Sequence, residues 1–289
     1  MVLGVDIGGS HITAALVDGD KKALITKSIR RKMIDSQGDA ATILDSWCEV
    51  IVDSYQGYEK MAKQIGIAMP GPFDYENGVC LIKEQDKFKS LYQLNLKQEL
   101  ANRLAVSPST IHFINDAASF LQGEAFAGSA SSNKTVLGFT LGTGLGSSIC
   151  KAGIAIDAAL WNTPFLESIA EDYLSTKWFV KRYFQLTGKK LDGVKDLAAS
   201  VPADAHAQQV FNEFGSNLAQ FLMPLIEEHK VDEVILGGNI AQTFTIFAPN
   251  LLGTLVQNQV FTPIKTTTLK EHAALIGAAS CFINFKTIL

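Results

Sequence analysis

Apolar positions along this chain follow two rhythms. Dense short runs at 2–7 and 12–17 predict paired strands, and Asp18-Gly19 marks a hairpin-type turn into a third strand at 22–29. Ile43, Leu44, Trp47, Val50 and Ile51 recur at helical spacing and predict a helix over 38–56. QIGIAMPGP, 64–72, reads as a buried strand stopped by Pro-Gly-Pro. A helix over 97–105, a strand over 110–116 ending in Asn115-Asp116, and a helix over 117–128 follow. The second half repeats the order. It holds a strand hairpin at 135–150, an irregular stretch at 151–166, and helices at 167–186, 193–199 and 205–229. A strand within 231–241 runs into a Gly-Gly turn, and helices at 243–257 and 271–285 close the chain. Hairpins first, then alternating helices and strands, in both halves, predict two α/β domains with mixed sheets. GSASSNK, 128–134, reads as a surface loop between them.

One kind of glycine-rich turn appears twice. VLGVDIGGSHITAALVD, 2–18, and VLGFTLGTGLGSSIC, 136–150, each place an apolar run before clustered glycines and resume it afterwards. Glycine lets the backbone turn tightly and bring its N–H groups close to an anion. Two such hairpins suggest two halves gripping one polyphosphate.

Composition narrows the class. At 289 residues, 47% apolar and 19% charged, the chain is long enough for two domains and is not of the disordered type. A net charge of −4 argues against broad nucleic-acid binding. The densest basic cluster, Lys27, Arg30, Arg31 and Lys32, reads as a solvated strand end. Cys48, Cys80, Cys150 and Cys281 lie far apart with no CxxC, so neither a zinc ribbon nor a disulfide framework is expected, and a reduced cytoplasm is the expected home. No signal-peptide pattern and no apolar run near the length of a membrane span is evident.

Ligands of α/β folds sit beyond strand ends. Four polar strand ends qualify: Asp6 to Ser10, Pro70 to Asp74, Asn115-Asp116 and Gly237 to Asn239. Asp116, at the mouth of a buried strand, is placed to accept a hydroxyl proton, and equally suits the N-cap of the next helix. Asp6 either steers a metal-bound phosphate or satisfies backbone in its turn. His11, alone after the turn, reads as structural or exposed. GTGLG is not a dinucleotide fingerprint, because a strand follows it. No Walker-type loop, HExxH or GxSxG occurs.

Taken together, DIGGS at 6–10, PGP at 70–72, INDAASFLQGEAFAG at 114–128, LGTGLGSSI at 141–149 and ILGGNIA at 235–241 resemble, in order and spacing, the ROK family of sugar kinases. That family belongs to the actin/hexokinase/Hsp70-like superfamily. The resemblance implies an α/β fold of two actin- or ribonuclease H-like domains flanking a central cleft, here 1–115 and 116–270. The closing helix, about 271–289, would pack back onto the first. It implies ATP with Mg2+ as donor and a hexose or N-acetylhexosamine as acceptor. Asp6, Gly8, Gly9 and Ser10 would face phosphates, with Asp6 steering the magnesium. Gly142, Thr143 and Gly144 would clasp phosphates from the other domain, and Gly237 and Gly238 would pack against adenosine. Gly71, Asn115 and Asp116 would bind sugar, with Asp116 the general base. A homodimer is implied too, with no nucleic-acid or membrane partner.

The chain departs from the family in the stretch ALWNTPFLESIAEDYLS, 159–175. Relatives carry Gly-His and then a cysteine-rich zinc loop there. Here Trp161-Asn162 replaces Gly-His and no cysteine remains, so no structural zinc is expected. Asn162 and Glu171 match the sugar-binding positions, with Glu167 a rival for the second. Burial of Trp161, Phe165 and Tyr173 is the expected replacement for the zinc. KFKSLYQLN, within the 73–95 segment, departs as well, which leaves the sugar open. A non-catalytic sugar or nucleotide sensor is the rival reading. An acyl-phosphate kinase or exopolyphosphatase-like activity is a third, and does not account for PGP paired with Asn-Asp.

Overall fold

The computed structural model describes residues 1–283 apart from 132 and 202. The chain divides into two units, Met1–Gly128 with Glu271–Leu289, and Ser129–Lys270.

The first unit is built on β1 (Val2–Ile7), β2 (His11–Asp18), β3 (Ala23–Leu24), β4 (Arg30–Met33), α1 (Ala40–Ser54), β5 (Ile65–Met69), β6 (Phe73–Asp74), β7 (Val79–Cys80), α2 (Leu96–Leu104), β8 (Ile111–Asn115) and α3 (Asp116–Ala127). Its main sheet has the order β3-β2-β1-β5-β8, with β4 also on β2. β1 and β2 are antiparallel, whereas β1, β5 and β8 are parallel. The expected strand at 22–29 is broken. Buried Ser28 accepts from the Leu16 N–H at 2.8 Å and donates to the Ile25 carbonyl at 2.7 Å, which folds 26–28 into a 3-10 turn between β3 and β4. Inside, Trp47 of α1 meets Phe88 edge-on at 5.6 Å, and Phe73 packs on Phe113 at 4.9 Å.

The second unit contains β9 (Val136–Leu141), β10 (Leu145–Lys151), β11 (Ile154–Asp157), β12 (Pro164–Phe165), β13 (Ser168–Ile169), α4 (Ala170–Leu174), α5 (Thr176–Thr187), α6 (Val194–Ser200), α7 (Ala205–His229), β14 (Glu233–Gly237), α8 (Gly238–Ala241), α9 (Phe244–Gln257) and β15 (Ile264–Thr266). Its sheet runs β11-β10-β9-β14-β15. It repeats the first plan, an antiparallel hairpin followed by parallel strands. The stretch expected to be irregular carries β11, an edge strand paired with β10. The single helix expected over 167–186 is two helices. The Thr176 N–H goes to the Gly142 carbonyl at 2.8 Å and Ser175 is extended, so α5 starts afresh there. A cluster of phenylalanines fills the core, with Phe179 and Phe214 ring centres 4.6 Å apart.

The closing helix α10 (Ala273–Ile283) belongs to the first unit; residues 284 and 285 of the expected span lie outside the described residues. It crosses the sheet at backbone distance. A β-carbon on Gly4 or on Gly66 would come within 1.9 Å of the Leu275 or Ala278 carbonyl oxygen. α3 packs against α10 and stays with the first unit, so the boundary falls after Gly128 rather than after residue 115.

Candidate active site

The three parallel strands of the first unit end at one sheet edge. Asp6 is level with Ala68, which is level with Ile114, and Met69 is level with Asn115. The DIGGS turn, the Pro-Gly-Pro turn and the Asn115-Asp116 pair therefore leave the sheet side by side, where α/β folds bind ligands.

In the first turn the Gly8 N–H donates to the His11 carbonyl at 2.9 Å and closes the hairpin. Among the described residues the Gly9 and Ser10 N–H groups have no acceptor, and Gly8, Gly9 and Ser10 are exposed. Such a pair of outward amides suits an anion. His11 is structural in part, with its Nδ1 2.9 Å from the Ser10 hydroxyl. Asp6 is mostly buried. Burial first, then the nearby charge of Asp116, pushes its carboxyl up to about 6, while Arg31 works in the opposite direction. Two neighbouring carboxylates, of which the charge of Asp116 raises Asp6, fit a divalent cation brought in with phosphates.

Asn115, not Asp116, caps α3. Its Oδ1 accepts from the Ala117 and Ala118 N–H groups at 2.9 and 3.0 Å. Asn115 is still extended and paired with β5, and the helix begins at Asp116, one residue earlier than an Asp116 cap would give. Asp116 is then the first helical residue, where the helix dipole favours its anionic form. The Asn115 Nδ2 donates to the Tyr75 hydroxyl at 3.2 Å, and that hydroxyl donates to the Met69 carbonyl at 3.0 Å. A β-carbon on Gly71 would lie 3.2 Å from the same hydroxyl. Tyr75 thus knots the Pro-Gly-Pro turn to Asn115, and the sequence pattern did not single it out.

In the second unit the Gly142 N–H donates to the Gly144 carbonyl at 3.1 Å, and the Thr143 and Gly144 N–H groups have no acceptor among the described residues. Glu171 Oε2 accepts from the Leu145 N–H at 2.9 Å, which fixes the exit of the turn. Gly237 is level with Thr140 at the end of the same sheet, and Gly238 has φ +83° and lies against the Leu141 backbone. Thr143 also edges a cavity of about 580 Å3, walled by Val180, Phe184 and Leu191 and rimmed by Lys177, Lys181 and Lys190. Gly237 and Gly238 do not line it.

The 159–175 loop holds its shape with aromatic packing. Phe165 stands edge-on to Tyr173 at 5.6 Å and to Phe221 at 5.3 Å. β12 and β13 form a small hairpin, and the Ser147 hydroxyl accepts from the Leu160 N–H at 2.8 Å. Trp161 takes no part in that core. It is 47% exposed beside an exposed Asn162, contrary to the expected burial. Glu167 is exposed, and of the two rival glutamates only Glu171 touches a glycine turn. No group of three His, Cys, Asp or Glu side chains placed as metal ligands occurs among the described residues.

The family model for the ROK family matches residues 2–162, more than half of the chain. This chain belongs to the ROK family. It is 26% identical to a glucokinase of Thermotoga maritima over 96% of both chains. It is 23% identical to an N-acetyl-D-glucosamine kinase of Aliivibrio fischeri over 86% of both. Among solved structures, a ROK family glucokinase from Streptomyces griseus, in complex with glucose and AMPPNP, superposes with a TM-score of 0.76 at 20% identity, covering 97% of this chain and 98% of that one. The shared fold accounts for the repeated hairpin sheets of this ROK protein and for its two anion-ready turns.

Proposed function

We propose that this chain transfers the terminal phosphoryl group of ATP to a hydroxyl of a hexose or N-acetylhexosamine. The observation that carries this reading is the position of Asp116 as the first residue of α3, where its Oδ1 accepts from the Ala117 N–H at 2.9 Å. Asn115 takes the cap, and Asp116 stands at the mouth of β8, close enough to Asp6 for each to feel the other's charge.

In the transfer, the acceptor hydroxyl oxygen bonds to the terminal phosphorus. The bond from that phosphorus to the bridging oxygen breaks, ADP leaves, and the hydroxyl proton passes to the Asp116 carboxylate. The Gly9 and Ser10 amides, and the Thr143 and Gly144 amides, are assigned to phosphate oxygens, with positioning and electrostatics supplying most of the rate. Asp6 would hold magnesium through the phosphates, and that ion supplies positive charge to their oxygens. The Thr143-edged cavity, with aromatic Phe184 and a lysine rim, suits the base and sugar of the nucleotide. For the acceptor, Gly71, Asn115 and Asp116, all in the first unit, are the assigned residues.

ADP release with ATP and magnesium against a panel of hexoses and N-acetylhexosamines, with Asp116→Asn as control, tests this. Turnover on one sugar, lost in the variant, supports it. No turnover on any sugar, with ATP still bound, favours the sensor reading. Against a sensor stands the packing of the 159–175 loop, in which Phe165 meets Tyr173 and Glu171 accepts from the Leu145 N–H of the glycine turn. Family likeness also supports a cytoplasmic homodimer, which light scattering on the purified chain checks. No described helix is long and apolar enough to cross a membrane.

A further inference from the structure

We propose that Lys87 supplies the first glycine turn with a cation that contacts the terminal phosphate of the bound nucleoside triphosphate. This rests on the reading of that turn as a phosphate site. Lys87 lies in the segment between β7 and the 3-10 turn Lys89–Leu91. The segment is pinned on three sides. Phe88 is fully buried against Trp47, with φ 59° and its N–H on the Ser36 carbonyl at 2.6 Å. The Asp86 carbonyl accepts from Gln37 Nε2 at 3.2 Å. Gln85 Nε2 donates to the Gly71 carbonyl at 2.8 Å.

With Phe88 driven inward, Lys87 lies over the turn. Its Cδ is 3.4 Å from where a Gly9 β-carbon would stand, and the residue is partly buried while Asp86 and Lys89 beside it are exposed. Neighbouring charges are already engaged. Lys89 pairs with Asp86 at 3.4 Å, and Lys83 sits 5.9 Å from the Tyr92 ring centre. Lys87 has no hydrogen-bond or ion-pair partner among the described residues. A lysine normally lays its stem on apolar surface and keeps its head in water. Here the stem lies on a turn that itself offers two unpaired amides, Gly9 and Ser10. Ammonium and amides together make an anion site of the kind that binds phosphate. Because Gln85 of the same segment holds the Gly71 carbonyl, one short loop ties the sugar-side turn to the phosphate-side turn.

The test compares wild type, Lys87→Met and Lys87→Arg. Titrations use a non-hydrolysable ATP analogue with magnesium, and adenosine alone. Kinetics on whichever sugar turns over complete the set. Lys87→Met should weaken the triphosphate analogue about 10- to 100-fold, the scale of a lost charge-assisted contact, and leave adenosine within about twofold. Lys87→Arg should recover most of that loss, and kcat should fall in Lys87→Met with sugar KM little changed. An unchanged analogue affinity overturns the proposal. So does a loss that extends equally to adenosine with a lower thermal midpoint, which marks Lys87 as a packing residue. If wild type turns over no sugar, the kinase reading fails on its own, and the analogue-against-adenosine comparison still decides Lys87.

Discussion

Glu171 Oε2 stands 2.7 Å from the point a β-carbon on Gly144 would occupy, and the same oxygen accepts from the next residue's N–H, on Leu145. The glycine turn and the glutamate therefore exclude a side chain between them. The obstructing atom is the end of a flexible side chain, so Gly144→Ala should fold, with a thermal midpoint within a few degrees of wild type. Its cost falls on function. The displaced carboxylate frees the Leu145 amide, the turn loosens, and the affinity for a triphosphate analogue should drop by about 10-fold, the scale of one or two lost amide contacts. Titration with the analogue, next to a melting curve, checks both halves. A large fall in the midpoint with unchanged affinity would reverse the assignment.

Gly238 presents the opposite case. Its φ is +83°, and an added β-carbon would lie 2.3 Å from the Leu141 carbonyl oxygen, which is sheet backbone and cannot swing away. Left-handed strain and a backbone clash add together. Gly238→Ala should cost roughly 3 kcal/mol or more and lower soluble expression, as denaturant unfolding of any recovered protein would show. A variant as stable as wild type would mean that β14 and β9 separate here more easily than their pairing suggests.

Most of the fold was legible because it is local. The α1 face, Ile43 to Ile51, and the wholly buried β5 declare themselves by spacing and composition alone. The three turns at one sheet edge follow from strands that end in Gly, Pro or Asn. What stayed hidden depends on distant partners or on one-residue registers. Asn115 and Asp116 are both good caps, and only the pairing of β8 with β5 decides between them. Tyr75 and Lys87 matter because they meet Asn115 and Gly9, and no local pattern announces such meetings. Trp161 was expected inside because it is large and apolar, but Phe165 and Tyr173 already fill the space against Phe221. The helix over 167–186 failed at Ser175 because the amide after it is drawn to Gly142, which no helical periodicity records.

Asp6 links stability to pH in a direction set by its raised carboxyl. The group titrates near 6 in the folded protein, against an ordinary value of 3.8. Between those values the folded state holds a proton that the unfolded chain has released, so Asp6 makes stability fall as pH rises through about 4 to 6. Above that window a constant penalty of roughly 2–3 kcal/mol remains. Asp6→Asn removes it. The variant should melt a few degrees above wild type at pH 8, with the difference vanishing near pH 4, while phosphoryl transfer is lost. Paired melting curves across this range are the check. A variant less stable than wild type at pH 8 would show that the Asp6 carboxylate is held by contacts stronger than its burial and its neighbour Asp116.

Asn115 and Asp116 should separate stability from chemistry. Asn115 caps α3 through Oδ1 and holds Tyr75 through Nδ2, so Asn115→Ala should lose about 1 kcal/mol for the cap. It should also raise sugar KM as the Gly71 turn loses its tie. Asn115→Asp keeps a capping oxygen and suits the helix dipole, so stability should return toward wild type. It still lacks the donor to Tyr75 and adds a carboxylate beside Asp116, so KM should stay high. Asp116→Asn should do the reverse, leaving the melting point nearly unchanged and lowering kcat about 10²- to 10⁴-fold, the range for a lost general base. Measuring kcat, KM and thermal midpoint for the three variants decides the matter. If Asp116→Asn instead destabilises the helix and turns over normally, the cap belongs to Asp116 and the base lies elsewhere.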